Sequence, residues 1–454
     1  MKIARCSPIL AILGCAALAA GQNGSMIAAP APQSALLPSP SQAQSQGPPT
    51  LTFQDALTRA RALVPEFNSA RTDAAIARED RVQARAAMLP GVTYNNQVLY
   101  TEPSRNPLGV VYISNNSVHE YVSQANAHEE IGLDSVYQYR SARAAEALAQ
   151  ARLQIASRGL VVTVAEAYYG LIVAQRKYGT EQAAMQEAQR FLTISQQLQK
   201  GGEVARSDVI KAQIQFNDRS RLLQEAQLAL EKARLALAVL VFHDFNQDFS
   251  VVDDLSLSPP LPPMDEVHAA ALRNNPDVAA ALARASVAQA GVGEARAGYL
   301  PRVALDYWYG IDAPQFAVNG PDRTRNLGYA AAATLNIPIW NWGATQSKIR
   351  QANLRQEQAK IELSAAQRQL LANIQTAYHE AERARSELDL LRQSFELASD
   401  SLRLTTLRYQ GGEATVLEVV DAQNTLTEAR DAFDEAESRY RIALANLQTL
   451  TGSF

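Results

Sequence analysis

Five histidines, at positions 119, 128, 243, 268 and 379, stand alone, at no spacing that builds a metal site. Gly291-Val292-Gly293 has the outline of a dinucleotide turn. No strand precedes it and helical sequence surrounds it, so it lacks the strand–turn–helix setting such a turn needs. No phosphate loop is present, so the sequence offers no nucleotide-driven step of that kind. The only cysteines, Cys6 and Cys15, fall in the first twenty residues, which leaves a mature chain no thiol for a disulfide or a thiolate metal site. Carboxylates remain. Glu418 and Asp421 are three apart and share a helix face. Their counterparts earlier in the chain are Asp208 and Lys211. Taken alone, such acids are ordinary solvated helix residues, and nothing here is equipped for catalysis.

The net charge is −4, with bases and acids interleaved. That pattern reads as solvated helix faces and excludes a nucleic-acid stripe. Lys2 and Arg5 precede an apolar stretch from about Pro8 to Ala20, which reads as a secretory signal over 1–20. Ala17-Leu18-Ala19 suits an ordinary signal peptidase, and Ile12-Leu13-Gly14-Cys15 resembles a lipoprotein box. Cys15 is therefore either a lipid anchor or discarded with the signal. Residues 21–50 hold six prolines among Ala, Ser, Gln and Gly, without charge, and read as an extended linker.

The elements that must position any site are written twice. Ala-Arg-Ala-Ala-Met-Leu-Pro ends at Pro90 and Ala-Arg-Ala-Gly-Tyr-Leu-Pro at Pro301, an offset of 211 residues. Gly201-Gly202-Glu203 returns as Gly411-Gly412-Glu413, an offset of 210. This is too long for a solenoid unit. It implies two similar halves, 51–262 and 263–454. Residues 344–410 contain neither proline nor glycine, enough for a helix of roughly 100 Å at 1.5 Å per residue. Its first-half counterpart reads from about Ser141 to Lys200. Shorter helical stretches cover about 66–88, 205–242 and 415–450. In the last of these, Val419, Ala422, Leu426, Ala429, Phe433, Ala436, Tyr440, Ala443 and Leu447 alternate in steps of three and four, a heptad seam. The first-half copy runs through Val209, Ala212 and Phe216 to Leu240, and only Arg219 breaks it.

Between helices the period changes to two. Val303, Leu305, Tyr307, Tyr309 and Ile311 alternate with Arg302, Ala304, Asp306 and Trp308. Strands are expected at about 92–100, 121–133, 302–311 and 327–339, the second carrying Glu129 on its apolar side. Alternation with aromatic ends marks either a half-buried hairpin or a transmembrane β-barrel strand. Four strands cannot close a conducting barrel, so a membrane barrel needs several chains. No run of 18 apolar residues exists in the mature chain, which argues against a helical membrane protein.

From Leu51 to the end the chain resembles the TolC family of outer-membrane efflux factors. The likeness is carried by Leu51-Thr-Phe-Gln-Asp-Ala-Leu57 with Pro65, by Ala295-Arg-Ala-Gly-Tyr-Leu-Pro301, and by Leu335-Asn-Ile-Pro338-Ile-Trp-Asn-Trp-Gly343. Arg408-Tyr409-Gln-Gly-Gly412, leading to Asp421-Ala-Gln423, completes it. The resemblance implies a mainly α fold with a β-barrel part. Three protomers would each give four strands to a twelve-stranded barrel above a long helical tunnel. It implies a passive exit duct of a tripartite efflux or type I secretion system for small molecules, metals or polypeptides. Its partners would be outer-membrane lipid, a periplasmic adaptor and an inner-membrane pump of the RND or ABC kind. It places Gly201, Gly202, Gly411, Gly412 and Tyr409 at the periplasmic tip where the adaptor docks, and Pro338 and Gly343 at the strand-to-helix junction. Glu418, Asp421 and Asp208 would belong to an acidic ring at the channel mouth, where clustered carboxylates raise one another's pKa. Some members carry a closing arginine where this chain has Ala414. The competing reading is a non-conducting periplasmic scaffold or adaptor, which would show one helical hairpin flanked by β-rich domains.

Overall fold

The computed structural model describes residues 49–101, 118–257 and 259–452. The signal segment, Cys15 and the linker as far as residue 48 lie outside the described residues. The chain opens with β1 (Thr50–Leu51), α1 (Phe53–Leu63) and α2 (Pro65–Ala86). Thr52 and Asp55 cap α1 reciprocally, and Pro65 at the first turn of α2 needs no amide partner. β2 (Gly91–Tyr100) and β3 (His119–Ile131) follow, then the 69-residue α3 (Leu133–Gly201) and α4 (Arg206–Val241). After β4 (Ser250–Val251) the order repeats: α5 (Met264–Asn274), α6 (Pro276–Ala297), β5 (Arg302–Ala313), β6 (Leu327–Asn336), α7 (Ala344–Gln410) and α8 (Val416–Thr451). α1 and α5 have 11 residues each, α2 and α6 have 22, and α4 and α8 have 36.

Of the boundaries that differ from the sequence reading, three have a plain physical cause. α3 begins at Leu133 rather than near Ser141, because nothing in 133–140 breaks a helix. β3 ends at Ile131 rather than 133, since extended Gly132 is already the N-cap of α3. β6 stops at Asn336 rather than 339, short of Pro338, which has no N–H to give a ladder.

The four long strands form one antiparallel sheet in the order β2-β3-β5-β6. The helices follow the same order: α3 packs on α2 and α6, and α6 on α7, so each strand sits above its own helix. Lower down, α3 pairs with α4, α7 with α8, and α3 with α8. The largest core lies around the middle of α3, where Leu160, Val164, Tyr168 and Ile172 meet α1, the end of α4 and Leu51. The Tyr168 hydroxyl donates to the carbonyls of Leu51 (3.2 Å) and Val252 (2.8 Å), tying α3 to the short parallel pair β1–β4. α3 is apolar enough in one window to cross a membrane by composition, and 44% of that window is buried inside the protein. The α8 seam is buried at Val419, Ala422, Ala436, Tyr440, Ala443 and Leu447.

Gly293 has a packing role. A Cβ there would lie 2.2 Å from the Tyr137 ring, so the glycine lets α3 and α6 approach closely. Gly291 and Gly293 both lie inside α6, not at a nucleotide turn, and only Gly293 is required by packing. Two helical hairpins and a four-stranded sheet also remove the adaptor reading, which requires a single hairpin.

Candidate functional site

Cross-strand register sorts the sheet into two faces. Tyr94 pairs with Ala125, Ala125 with Tyr309, and Tyr309 with Tyr329. Val92, Ala127, Tyr307 and Ala331 form the neighbouring row. This apolar face leaves Val92, Tyr94, Val98 and Tyr329 between 65 % and 75 % exposed, far more than a soluble core surface tolerates. The opposite face carries Thr93, Asn95, Gln97, Gln124, Asn126, His128, Asp306 and Trp308, with His128 Nδ1 2.7 Å from Asp306 Oδ1. Apolar outside and polar inside is the arrangement of a strand wall between lipid and a water-filled lumen. Gly310 permits close strand approach, since a Cβ there would meet the Gln124 backbone at 2.3 Å.

At the strand-to-helix junction the chain leaves β6 through Pro338 and turns into α7 at Gly343, whose φ is +80°. Trp342 just before it also has a positive φ of 56°, a strained choice for a bulky residue. Ile339, Trp340 and Trp342 stand exposed there, and the two indoles meet edge to face at 5.8 Å.

The far end of the long helices carries the two tip turns. Gly202 (φ +82°) and Gly412 (φ +77°) are the left-handed residues. Glu203 N donates to Leu198 O (3.0 Å) and Glu413 N to Arg408 O (2.8 Å), closing the same cap twice. Gly201 and Gly411 are not left-handed: Gly201 ends α3 and Gly411 has φ −82°. The conformational demand falls on the second glycine of each pair.

Tyr409 does not present a docking surface. It is 4 % exposed, its ring centroid lies 5.0 Å from that of Phe191, and its hydroxyl is 3.2 Å from Ser195 Oγ. With Leu192, Ala212, Val416 and Val419 it forms a small core that clamps the two hairpins together at their tips.

The three acids expected at the mouth also separate. Glu418 is the third residue of a capping box: its carboxylate accepts the Thr415 amide (3.1 Å) and hydroxyl (3.0 Å), and Arg408 lies 3.6 Å away. The Thr415 backbone and hydroxyl bonds, then Arg408, hold its pKa below the usual carboxylate range. Within one protomer these local donors, and not another carboxylate, set the direction for Glu418. Asp208 sits 3.9 Å from Lys211. Asp421 is exposed and forms no ion pair among the described residues, so it offers the least compensated charge of the three.

Sequence reasoning missed a buried polar layer above the tip. Arg219, the seam breaker, reaches Glu181 on α3 (3.4 Å) and Asn424 on α8 (2.7 Å), and Gln215 also donates to Asn424 (3.0 Å). The signal was present as an exception in the repeat: the second-half counterparts of Glu181 and Arg219 are Leu391 and Ala429. A second cluster joins Arg176 to Asp253, Asp434 and Glu437, and burial raises the Asp434 pKa.

A sequence profile described as "Outer membrane efflux protein" matches residues 56–241 and again 267–453, once for each repeat. The chain belongs to that family. Among relatives, the alkaline protease secretion protein AprF of Pseudomonas aeruginosa is 23% identical over 397 residues, covering 86% of this chain and 82% of that one. The outer membrane protein TolC of Escherichia coli is 22% identical over 407 residues, covering 87% and 81%. Among solved structures, the CmeC outer membrane channel of Campylobacter jejuni superposes with a TM-score of 0.76 at 18% identity, covering 88% of this chain and 85% of that chain. The family consists of channel and transport proteins. This member is an outer-membrane exit duct whose sheet belongs to the membrane and whose helices extend into the periplasm.

Proposed function

We propose that three copies of this chain close into one conduit, a twelve-stranded barrel continued by a helical tunnel. The observation that carries this reading is the pair of unfinished edges. Among the described residues β2 and β6 each lack a partner on one side, and open edges at membrane depth are not tolerated. α2 has no buried residue. α7 exposes Leu390, Leu397 and Leu404 at heptad spacing, and α4 exposes Ile214, Leu228 and Leu235 in the same phase. An edge of one kind meeting an edge of the other is a head-to-tail contact, which closes into a ring. Purified protein should run as a trimer by light scattering and conduct in planar bilayers. A monomer that stays soluble without detergent and forms no pore overturns the proposal.

The tip is the end that meets the transport partners. A periplasmic adaptor docking on the turns at Gly202 and Gly412 would couple the duct to an inner-membrane pump, which supplies the energy this chain cannot. The cargo would be small molecules, metals or polypeptides. Asp421, with Asp208 and Glu418 behind it, would set a negative potential at the mouth. Tyr409 would support docking indirectly, by holding the two hairpins in register.

A further inference from the structure

The wall formed by α3, α6 and α7 has two sides, and the sheet above tells which is which. Arg302 and Glu130 lie on the polar face of the sheet, and Arg302 bonds Glu130 (3.5 Å) and Asp134 (3.1 Å). These residues run down into a groove of about 760 Å³ shared with Arg284, Gly291 and Glu294 of α6. That groove therefore continues the lumen. At about 100° per residue, Ser286, Gln289, Gly293 and Arg296 fall on the opposite side of α6. They line a second groove of about 700 Å³ with Tyr137, Arg140 and Arg143 of α3, below the lipid-facing side of the sheet.

The charges on the two sides differ. On the inner side Arg284 and Arg302 are paired with Glu362, Glu130 and Asp134. On the outer side Arg140, Arg143 and Arg296 are all exposed, form no ion pair among the described residues, and share their groove with no acid. The Arg140 guanidinium lies 5.4 Å above the Tyr137 ring, itself seated on Gly293. Arg140 and Arg143 sit about 10–15 Å along α3 from its membrane end, and helical side chains lean toward the N-terminus, here toward the membrane. Arg296 precedes β5 by six residues. The groove lies mainly between α3 and α6, with only Gln356 contributed by α7, whereas a ring of copies would join along α2 and the exposed leucines of α7.

We propose that this outer groove binds the phosphate headgroup of an anionic phospholipid in the periplasm-facing leaflet. Unpaired guanidinium forks match phosphate oxygens, and the Tyr137 ring gives an apolar seat beside them. The inference uses the membrane placement of the sheet and is independent of the adaptor and cargo reading. Conductance tests the duct separately from lipid binding.

The test is native mass spectrometry of the purified full-length protein titrated with short-chain phosphatidylglycerol, phosphatidylcholine or inorganic phosphate. Wild type should bind phosphatidylglycerol well ahead of phosphatidylcholine. Arg140→Gln with Arg143→Gln and Arg296→Gln should weaken it about 100-fold, while the three lysine replacements keep most of the preference. Inorganic phosphate at equal concentration should not compete. Unchanged binding in an assembled triple glutamine variant overturns the site. Equal binding of phosphatidylcholine, or full competition by inorganic phosphate, overturns the lipid assignment. If the triple variant fails to assemble, Arg143→Gln alone decides. It should weaken phosphatidylglycerol about 5-fold, and no weakening refutes the proposal.

Discussion

Arg219→Ala is the sharpest probe of how the two hairpins are held together. In the wild type both side chains of the Arg219–Glu181 pair are about 5 % exposed, at 6 % and 5 %. Removing the arginine leaves the Glu181 carboxylate buried without its countercharge, which costs roughly 3–5 kcal/mol. Glu181→Leu alone strands the arginine instead, although Asn424 still accepts one of its N–H groups at 2.7 Å. Both changes together recreate the second repeat, which has Leu391 and Ala429 at these positions. An apolar replacement of a whole buried pair is neutral or stabilising by about 1–4 kcal/mol. Against that, Asn424 loses a donor worth about 1–3 kcal/mol if nothing replaces it, but it keeps Gln215 at 3.0 Å. The double variant should therefore lie within about 2 kcal/mol of wild type, with a favourable coupling of at least about 2 kcal/mol between the sites. Helical circular dichroism of the detergent-solubilised protein is followed against urea, and at constant slope the midpoint reports stability. Single variants within about 1 kcal/mol of wild type, or a double equal to the sum of the singles, would refute the argument.

Gly412→Val should destabilise the second tip by about 1–2 kcal/mol through backbone strain alone, since a Cβ at that position meets no neighbour within 4 Å. Adaptor cross-linking should fall with it, and unchanged cross-linking would remove the tip assignment. Asp421→Asn should relieve block of the conductance by multivalent cations more than Glu418→Gln does, because Thr415 and Arg408 already hold the Glu418 carboxylate. The reverse order in blocker affinity would restore the simple acidic ring. Thr415 and Arg408 hold the Glu418 carboxyl below its ordinary range, so its contribution to α8 is full above the ordinary carboxylate range and lost as pH falls through the lowered folded value. Thr415→Ala should cost about 1 kcal/mol at neutral pH and flatten this acid dependence. An acid limb at the wild-type position in Thr415→Ala would sink the cap argument.

Much of this protein was legible in the residues because its elements are defined by local periodicity. A glycine-free, proline-free stretch from Ala344 to Gln410 can only be a very long helix if it is a helix at all. Period-two runs around Tyr307 and Tyr329 separate lipid side from lumen side without reference to any partner. The repeat offset placed two tip turns at once, and glycine is the residue a left-handed cap requires. What depended on distance was decided only by folding. Tyr409 looked like part of a docking motif, but Ser195 and Phe191, over 200 residues away in sequence, bury it. The sequence does not show that the Glu418 carboxylate is held by Thr415 and approached by Arg408 from across the tip turn. Arg219 looked like a flaw in a seam, because its partners lie on α3 and α8, 38 and 205 residues distant. The unpaired arginines of the outer groove, Arg140, Arg143 and Arg296, become one surface only where Gly293 lets α3 and α6 close together. Periodicity is a property of neighbours in sequence and can be read directly. The compensation of charge is a property of neighbours in space, and only the packed helices determine it.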